Sequence, residues 1–304
     1  MIENHLAFRE RRLKSYLFLT LCTTLPVFAQ HTAAITSAVG GTANRAAADA
    51  LHSKVAPRAA SNRQPGVVLF TGDTVFPQVV DGGGWKTSFI ISNLDTVSRH
   101  CEVRFFRDDG TDMLLPIFSD TLHGDLLSGV SLTINAGGTA FFESAGDDPV
   151  LAQGWALLVK DNSTDPIGGM AVFRQKLAGN QEAEAVVPVV SQFDGHFVLI
   201  FDNTNGYVTG MAIANPSSRS VVATADVLDE FGKLIAQETL SLNSFTHQAF
   251  SVADEWTSTA GRRGSIEFQT SGFGIGVLGL RFSPFGSFTS FNILTNISWI
   301  APGS

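Results

Sequence analysis

Two aromatic residues stand where a ligand could be met. Trp85 follows Gly82-Gly83-Gly84, and Tyr207 follows Gly206. A ring on a loop can stack on a sugar while nearby polar groups take its hydroxyls. Asp81 and Asn203 supply such groups. Trp85, Tyr207, Asp81 and Asn203 are therefore the candidate ligand-binding residues, weighed against the alternative that both rings cap the end of a core. Asp108, Asp109 and Asp112 are a weaker candidate, for calcium. Carboxylates so spaced gather oxygens, but the remaining ligands of an EF-hand loop are missing, and a solvated hairpin turn is the favoured reading.

Other chemistry finds less support. Gly274-Ile275-Gly276-Val277-Leu278-Gly279 matches the dinucleotide-binding G-x-G-x-x-G. That motif works only where a strand feeds a helix whose N-terminus meets the pyrophosphate. Here Leu280-Arg281-Phe282 continues an alternating strand, so a closely packed Gly-rich strand is expected. The histidines are scattered, with no H-E-x-x-H and no Cys–His cluster, which argues against zinc. No serine sits in G-x-S-x-G. Triads are defined in space and not in sequence, so a hydrolase stays open as an alternative. No catalytic residue is assigned and no cofactor is expected.

The elements that must position these residues come from an internal repeat. Residues 84–110 and 206–232 align without a gap at an offset of 122, which pairs Thr87 with Thr209, Asn93 with Asn215 and Gly110 with Gly232. Beyond Gly110 the first copy has 14 extra residues (122 − 108) within 116–129, and the offset falls to 108, so that Ile134 meets Leu242 and Phe142 meets Phe250. Gly154 pairs with Gly264 at 110, and Arg174 with Arg281 at 107. We read this as a duplication. Thr87, Phe89 and Ile91 alternate with Lys86, Ser88 and Ile90, and Cys101, Val103 and Phe105 with Glu102 and Arg104, as strands with one buried face do. Short runs like these, divided by turn residues, and the absence of a normal amphipathic helix predict an all-β chain. We expect two duplicated antiparallel β-sandwich domains in tandem, at 66–190 and 191–304.

The N-terminus reads as an export signal. Arg9, Arg11, Arg12 and Lys14 precede an apolar stretch, 16–29, too short to span a bilayer comfortably. Cleavage after Ala29 removes four basic and two acidic residues, taking the net charge from −8 to −10. Residues 30–65 read as a flexible leader rich in Ala, Thr, Ser and Asn. The expected location is secreted, periplasmic or cell-surface, without stable membrane insertion once the signal is gone. An acidic surface repels phosphate backbones, which argues against nucleic acid. Cys101 is then the sole cysteine, so no internal disulfide is expected, and its match Ala223 points to a small core position.

The pattern T-x-Φ-x-Φ-x-N (Φ apolar), followed by a strand and an acidic-Gly turn, is similar to that of the immunoglobulin-like and fibronectin-type-III-like modules of exported bacterial surface proteins. The resemblance covers roughly 66–298, and neither copy has the paired cysteines of antibody domains. It implies a binding, adhesive or spacer role toward an extracellular protein or glycan, with no catalytic residues to carry over. The alternatives are a carbohydrate-binding protein using Trp85 and Tyr207, and a hydrolase with its site at the junction between the copies.

Overall fold

The computed structural model describes residues 54–57, 74–177, 181–191, 196–270 and 274–295. The export signal with Cys22, most of the leader and the apolar run at 67–70 lie outside the described residues. The first group of strands comprises β1 (Lys54–Pro57), β2 (Thr74–Asp81), β3 (Trp85–Asn93), β4 (Arg99–Arg107), β5 (Leu115–Phe118), β6 (His123–Leu127), β7 (Gly129–Ile134), β8 (Thr139–Ser144), β9 (Ala152–Lys160), β10 (Ile167–Lys176), β11 (Glu182–Pro188) and β12 (Val190–Ser191). The second comprises β13 (His196–Asp202), β14 (Val208–Ala214), β15 (Val221–Asp229), β16 (Leu234–Leu242), β17 (His247–Ser251), β18 (Arg263–Thr270), β19 (Gly276–Phe282), β20 (Phe288–Phe291) and β21 (Leu294–Thr295). The one α-helix among the described residues is a single turn, α1 (Val252–Glu255), followed by a 3-10 turn. The protein is all-β, and every ladder among the described residues is antiparallel.

Four sheets result. In the first half, sheet I runs β1-β7-β4-β9-β2-β12 and sheet II runs β11-β10-β3-β8-β5-β6. Their inner faces meet in one core, where Phe89 of sheet II lies edge-on to Phe76 and 5.5 Å from Phe105, both of sheet I. In the second half, sheet III runs β16-β15-β18-β13-β21 and sheet IV runs β17-β14-β19-β20. Phe197, Ala223 and Phe268 of sheet III meet Met211, Ile213 and Val277 of sheet IV. β3 shows the alternation of buried and half-buried residues that its sequence predicts.

The registers of the two halves correspond. Cys101 lies opposite Leu132 and Ala223 opposite Leu240. Phe89 lies opposite Phe142, and Met211 opposite Phe250. Arg107 lies opposite Gly154, and Asp229 opposite Gly264. Each pair obeys the offsets of 122, 108 and 110 read from the sequence. At Gly154 and Gly264 the requirement for glycine is also the same: an added Cβ would sit 1.9 Å from the Phe106 carbonyl oxygen in one and 2.0 Å from that of Leu228 in the other. One sequence pairing shifts by a residue. Thr87 lies opposite Phe173 while Thr209 lies opposite Arg281, so Arg281 matches Phe173 and not Arg174.

One further expectation is corrected. The leader is not wholly without structure, because Lys54–Pro57 pairs antiparallel with Val130–Thr133 at the edge of sheet I. The 14 extra residues of the first half contribute to the hairpin β5–β6, which extends sheet II.

The halves are joined through apolar surface. β14 and β19 are buried almost without interruption, as strands covered on both faces are. Their inner residues belong to the second core, while Ala212, Leu278, Leu280 and Phe282 join the first-half core. On sheet I, Val75, Trp155 and Leu157 pack with Phe106 and with Ala214 of β14.

Candidate functional site

The residues with candidate chemistry are mostly committed to this scaffold. Trp85 is 1% exposed, and its ring centroid lies 5.0 Å from that of Phe288 in the other half. No face of the ring is open to a sugar, which corrects the expectation of a loop platform. The three preceding glycines place it there. All have positive φ, and the loop is held by the Gly83 amide donating to the Asp148 carbonyl at 2.7 Å. Tyr207 is half-buried, and the Arg281 guanidinium covers its ring at 3.5 Å. Arg281 is itself fixed by Nε and Nη2 donating to Asp202 Oδ2 at 3.1 and 2.6 Å. Burial opposes ionisation of Asp202, but the Thr204 hydroxyl and Arg281 prevail and hold its carboxyl below the usual range.

Asp81 and Asn203 occupy matched places and are both buried. Asp81 Oδ1 accepts from the Gly146 amide at 2.8 Å. Burial pushes its carboxyl above the ordinary value; Ser144 and Gly146 oppose this, and the charges of Asp147 and Asp148 add to it. Asn203 donates from Nδ2 to the Thr259 carbonyl and hydroxyl at 3.3 and 3.2 Å, and its Oδ1 accepts from the Thr209 amide at 2.8 Å. The amide groups of Asn203 are spent inside the protein.

The acidic turn after β4 is also occupied. Asp108 Oδ1 lies 2.9 Å from His247 Nδ1, and its Oδ2 accepts from Gln153 Nε2 at 3.0 Å. Its carbonyl accepts from the His247 amide at 2.9 Å, which ties the two halves together. Asp109 Oδ1 caps Thr111, while Asp112 forms a bridge with Phe106. The three carboxylates do not converge, and no group of three or more His, Cys, Asp or Glu suited to a metal occurs among the described residues. Gly276 and Gly279 of the G-x-G-x-x-G lie in strand β19, where an added Cβ would meet Val75 Cγ1 at 2.7 Å and Leu199 Cδ1 at 2.5 Å. They are packing glycines.

Where the halves meet, a groove of about 490 Å³ is lined by Val190, Val277, Leu278, Phe291, Ile293 and Leu294, with Pro188, Asn292 and Thr295 at its margin. None of these side chains is ionisable, so no acid or base for hydrolysis lines the groove among the described residues. The Asp108–His247 pair, which also joins the halves, has the orienting half of a triad. However, the His247 side chain is fully buried and its Nε2 reaches no partner. Substrate has no access to it.

One cluster has no local signature in the sequence. On the outer face of sheet I, His100 Nδ1 lies 2.9 Å from Asp161 Oδ1, and its Nε2 lies 2.9 Å from Ser131 Oγ. Alternation along β4 turns His100 away from the core, but only the pairing of β4 with β7 brings Ser131 to it. The order Ser–His–Asp is that of a relay that activates a hydroxyl. Acyl transfer also needs donors aimed at the developing oxyanion and a site that excludes water. Ser131 lies in a strand flanked on both sides, so its amide belongs to a ladder. His100 and Asp161 are 44% and 60% exposed on an open sheet face, where water competes for each bond.

The fold and these sites define an antiparallel all-β protein. The chain matches no protein-family model, no curated protein and no solved structure.

Proposed function

We propose that this chain is an exported, non-catalytic interaction or structural module made of two duplicated immunoglobulin-like β-sandwiches, spanning 66–190 and 191–304. It acts outside the cytoplasm, in the periplasm, at the cell surface or secreted, behind a signal ending at Ala29. One observation carries the reading: the polar residues that recur at matched positions are spent on backbone groups. Asn93 Nδ2 donates to the carbonyls of Val97, Ile134 and Asn135, and Asn215 Nδ2 donates to those of Arg219, Leu242 and Asn243. Thr87 Oγ1 bonds both the amide and the carbonyl of Val80, and Thr209 Oγ1 does the same at Asp202. Residues kept in both copies thus serve to fasten turns and strands. Recognition falls to the surfaces in which the halves differ.

The test has three parts. Mass spectrometry of the exported protein reads the mature N-terminus, expected at Gln30. The labelled mature chain is then applied to whole cells, immobilised extracellular proteins and a glycan array, with binding to protein and not to glycan expected. Panels of ester, glycoside and peptide substrates should show no turnover that depends on Ser131 or His100. Turnover lost in Ser131→Ala would overturn the non-catalytic reading.

A further inference from the structure

We infer that Asn205–Gly206 is a self-modification site, at which the chain converts the Asn205 side-chain amide into isoaspartate and aspartate with water as the only co-reactant. Asn205 is the one asparagine followed by glycine in the sequence. Both residues are exposed, in the turn that joins β13 to β14. The Tyr207 amide donates to the Thr204 carbonyl at 2.9 Å and closes this turn, with Asn205 and Gly206 at φ of 52° and 79°. Positive φ at both central residues is what a type I′ turn needs, and asparagine is among the few residues with a side chain that accept it. The matched turn of the first half makes the same bond, from the Trp85 amide to the Gly82 carbonyl at 3.0 Å, with Gly83 and Gly84 at φ of 61° and 87°. The turn therefore needs no amide side chain at 205.

The reacting groups are accessible and unengaged. The Asn205 side chain makes no hydrogen bond to another described residue, and the Gly206 amide donates to none. Gly206 also has no side chain to crowd an approach to Asn205 Cγ. Other asparagines are held or crowded. Asn93 and Asn215 spend Nδ2 on backbone carbonyls, and Asn203 is buried against Thr259. The exposed Asn162 and Asn243 are each followed by serine, whose side chain hinders the attacking amide.

The step balances without an oxidant or a metal. Solvent base takes the Gly206 amide proton, and the nitrogen bonds to Asn205 Cγ. The Cγ–Nδ2 bond breaks, and Nδ2 takes up a proton and leaves as ammonia. A five-membered imide remains. Water opens it at Cγ to give aspartate, or at the Asn205 backbone carbonyl to give isoaspartate, in which the main chain runs through the former side chain. Either product adds a carboxylate, ionised at neutral pH, to the turn that also carries Asp202 and Tyr207. Aspartate tolerates the left-handed φ as asparagine does. Isoaspartate puts an extra carbon into the main chain between Thr204 and Tyr207, which disturbs the bond that closes the turn.

The experiment incubates the purified chain in warm, mildly alkaline buffer beside a synthetic peptide of residues 200–211. Samples go to isoelectric focusing, to peptide mapping by mass spectrometry, and to methylation by an isoaspartate-specific methyltransferase. The expected result is one new species, more acidic by a single charge, with ammonia exchanged for water at 205 and the methyl label in the same peptide. Asn205→Gly installs the residue of the first half, and should lose both the acidic species and the label while melting close to the fresh parent. Asn205→Asp should focus with the acidic species from the start, carry no label when fresh, and melt above the aged, isoaspartate-containing protein. A folded chain left unconverted after the peptide has turned over, or an acidic species that persists in Asn205→Gly, would overturn the inference.

Discussion

The two halves use one set of ladders for two different situations. Gly110 and Gly232 close the same hairpin turn with φ of 82° and 78°. Around Gly232 nothing lies within 4 Å of an added Cβ, whereas at Gly110 the Phe245 carbonyl oxygen would lie 2.3 Å away. Trp85 is sealed against Phe288, while Tyr207 sits half-buried under an arginine. The edge of β7 is covered by β1, and that of β16 is open among the described residues. The lesson is that residues at matched register positions share their local bonds and differ in exposure according to their neighbours. The first half lends Trp85 and the loop that follows β4 to the junction, whereas nothing lies within 4 Å of a Cβ added at Gly232 in the matching loop of the second half.

The largest expected effect tests that difference at the aromatic pair. Trp85→Ala empties a junction position and should cost about 3–5 kcal/mol in urea unfolding, the range for deleting a buried large ring. Tyr207→Ala removes a cation–π contact near the surface and should cost about 1 kcal/mol. Equal losses at the two sites would break the comparison. Next come the turn glycines. Gly232→Ala pays only for a left-handed backbone, about 1–2 kcal/mol. Gly110→Ala adds a collision with the other half, worth about 1–3 kcal/mol more. Limited proteolysis should then cut the Gly110→Ala variant between its halves faster than it cuts Gly232→Ala.

A smaller effect is expected at Cys101, which lies opposite Leu132 as Ala223 lies opposite Leu240. Burial, with a further push from Asp161, raises its thiol to about 12, so thiolate is scarce at neutral pH. Iodoacetamide should leave the native protein unlabelled and modify it fully in denaturant. Cys101→Ala installs the second half's residue and should cost about 1 kcal/mol for the lost sulfur contacts. Labelling of the native thiol would show that the first core opens more readily than its packing implies.

Strands with a single buried face were legible in the sequence. β3 and β4 alternate, and their spacing alone placed Phe89, Ile91, Cys101 and Val103 inside. β2, β9, β14 and β19 could not be read in the same way. They are covered on both sides, and their long apolar runs do not say what covers the second side. For that reason the junction was invisible, and Trp85, next to three glycines, looked like a loop ring. The one-residue error at Arg281 has a similar origin, since a Gly-rich strand offers few side chains to fix an alignment. The His100–Ser131 contact needed a strand pairing that no local pattern reports.

The smallest effect sharpens the comparison at Asp81 and its counterpart Asn203. Both side chains are buried and bonded to a backbone amide, but one is a carboxylic acid and the other is neutral. Because burial raises the Asp81 carboxyl above its ordinary value of 3.8, the folded protein holds this proton more tightly than the unfolded chain does. Stability is therefore lost as pH rises from that ordinary value through the raised one, and the full penalty is present above it. Asp81→Asn keeps an oxygen for the Gly146 amide and cannot ionise. Its stability advantage over the parent should be absent at pH below the ordinary carboxylate value, grow across the window, and level off toward neutrality. The gain should be modest, because the Ser144 and Gly146 bonds already offset part of the buried charge. The reverse change, Asn203→Asp, should destabilise at neutral pH, since a carboxylate there would face the Thr259 carbonyl that now accepts from Nδ2. Urea unfolding of both variants across this pH range checks the pair, and an Asp81→Asn advantage that does not vary with pH would show that the two positions differ in something other than charge.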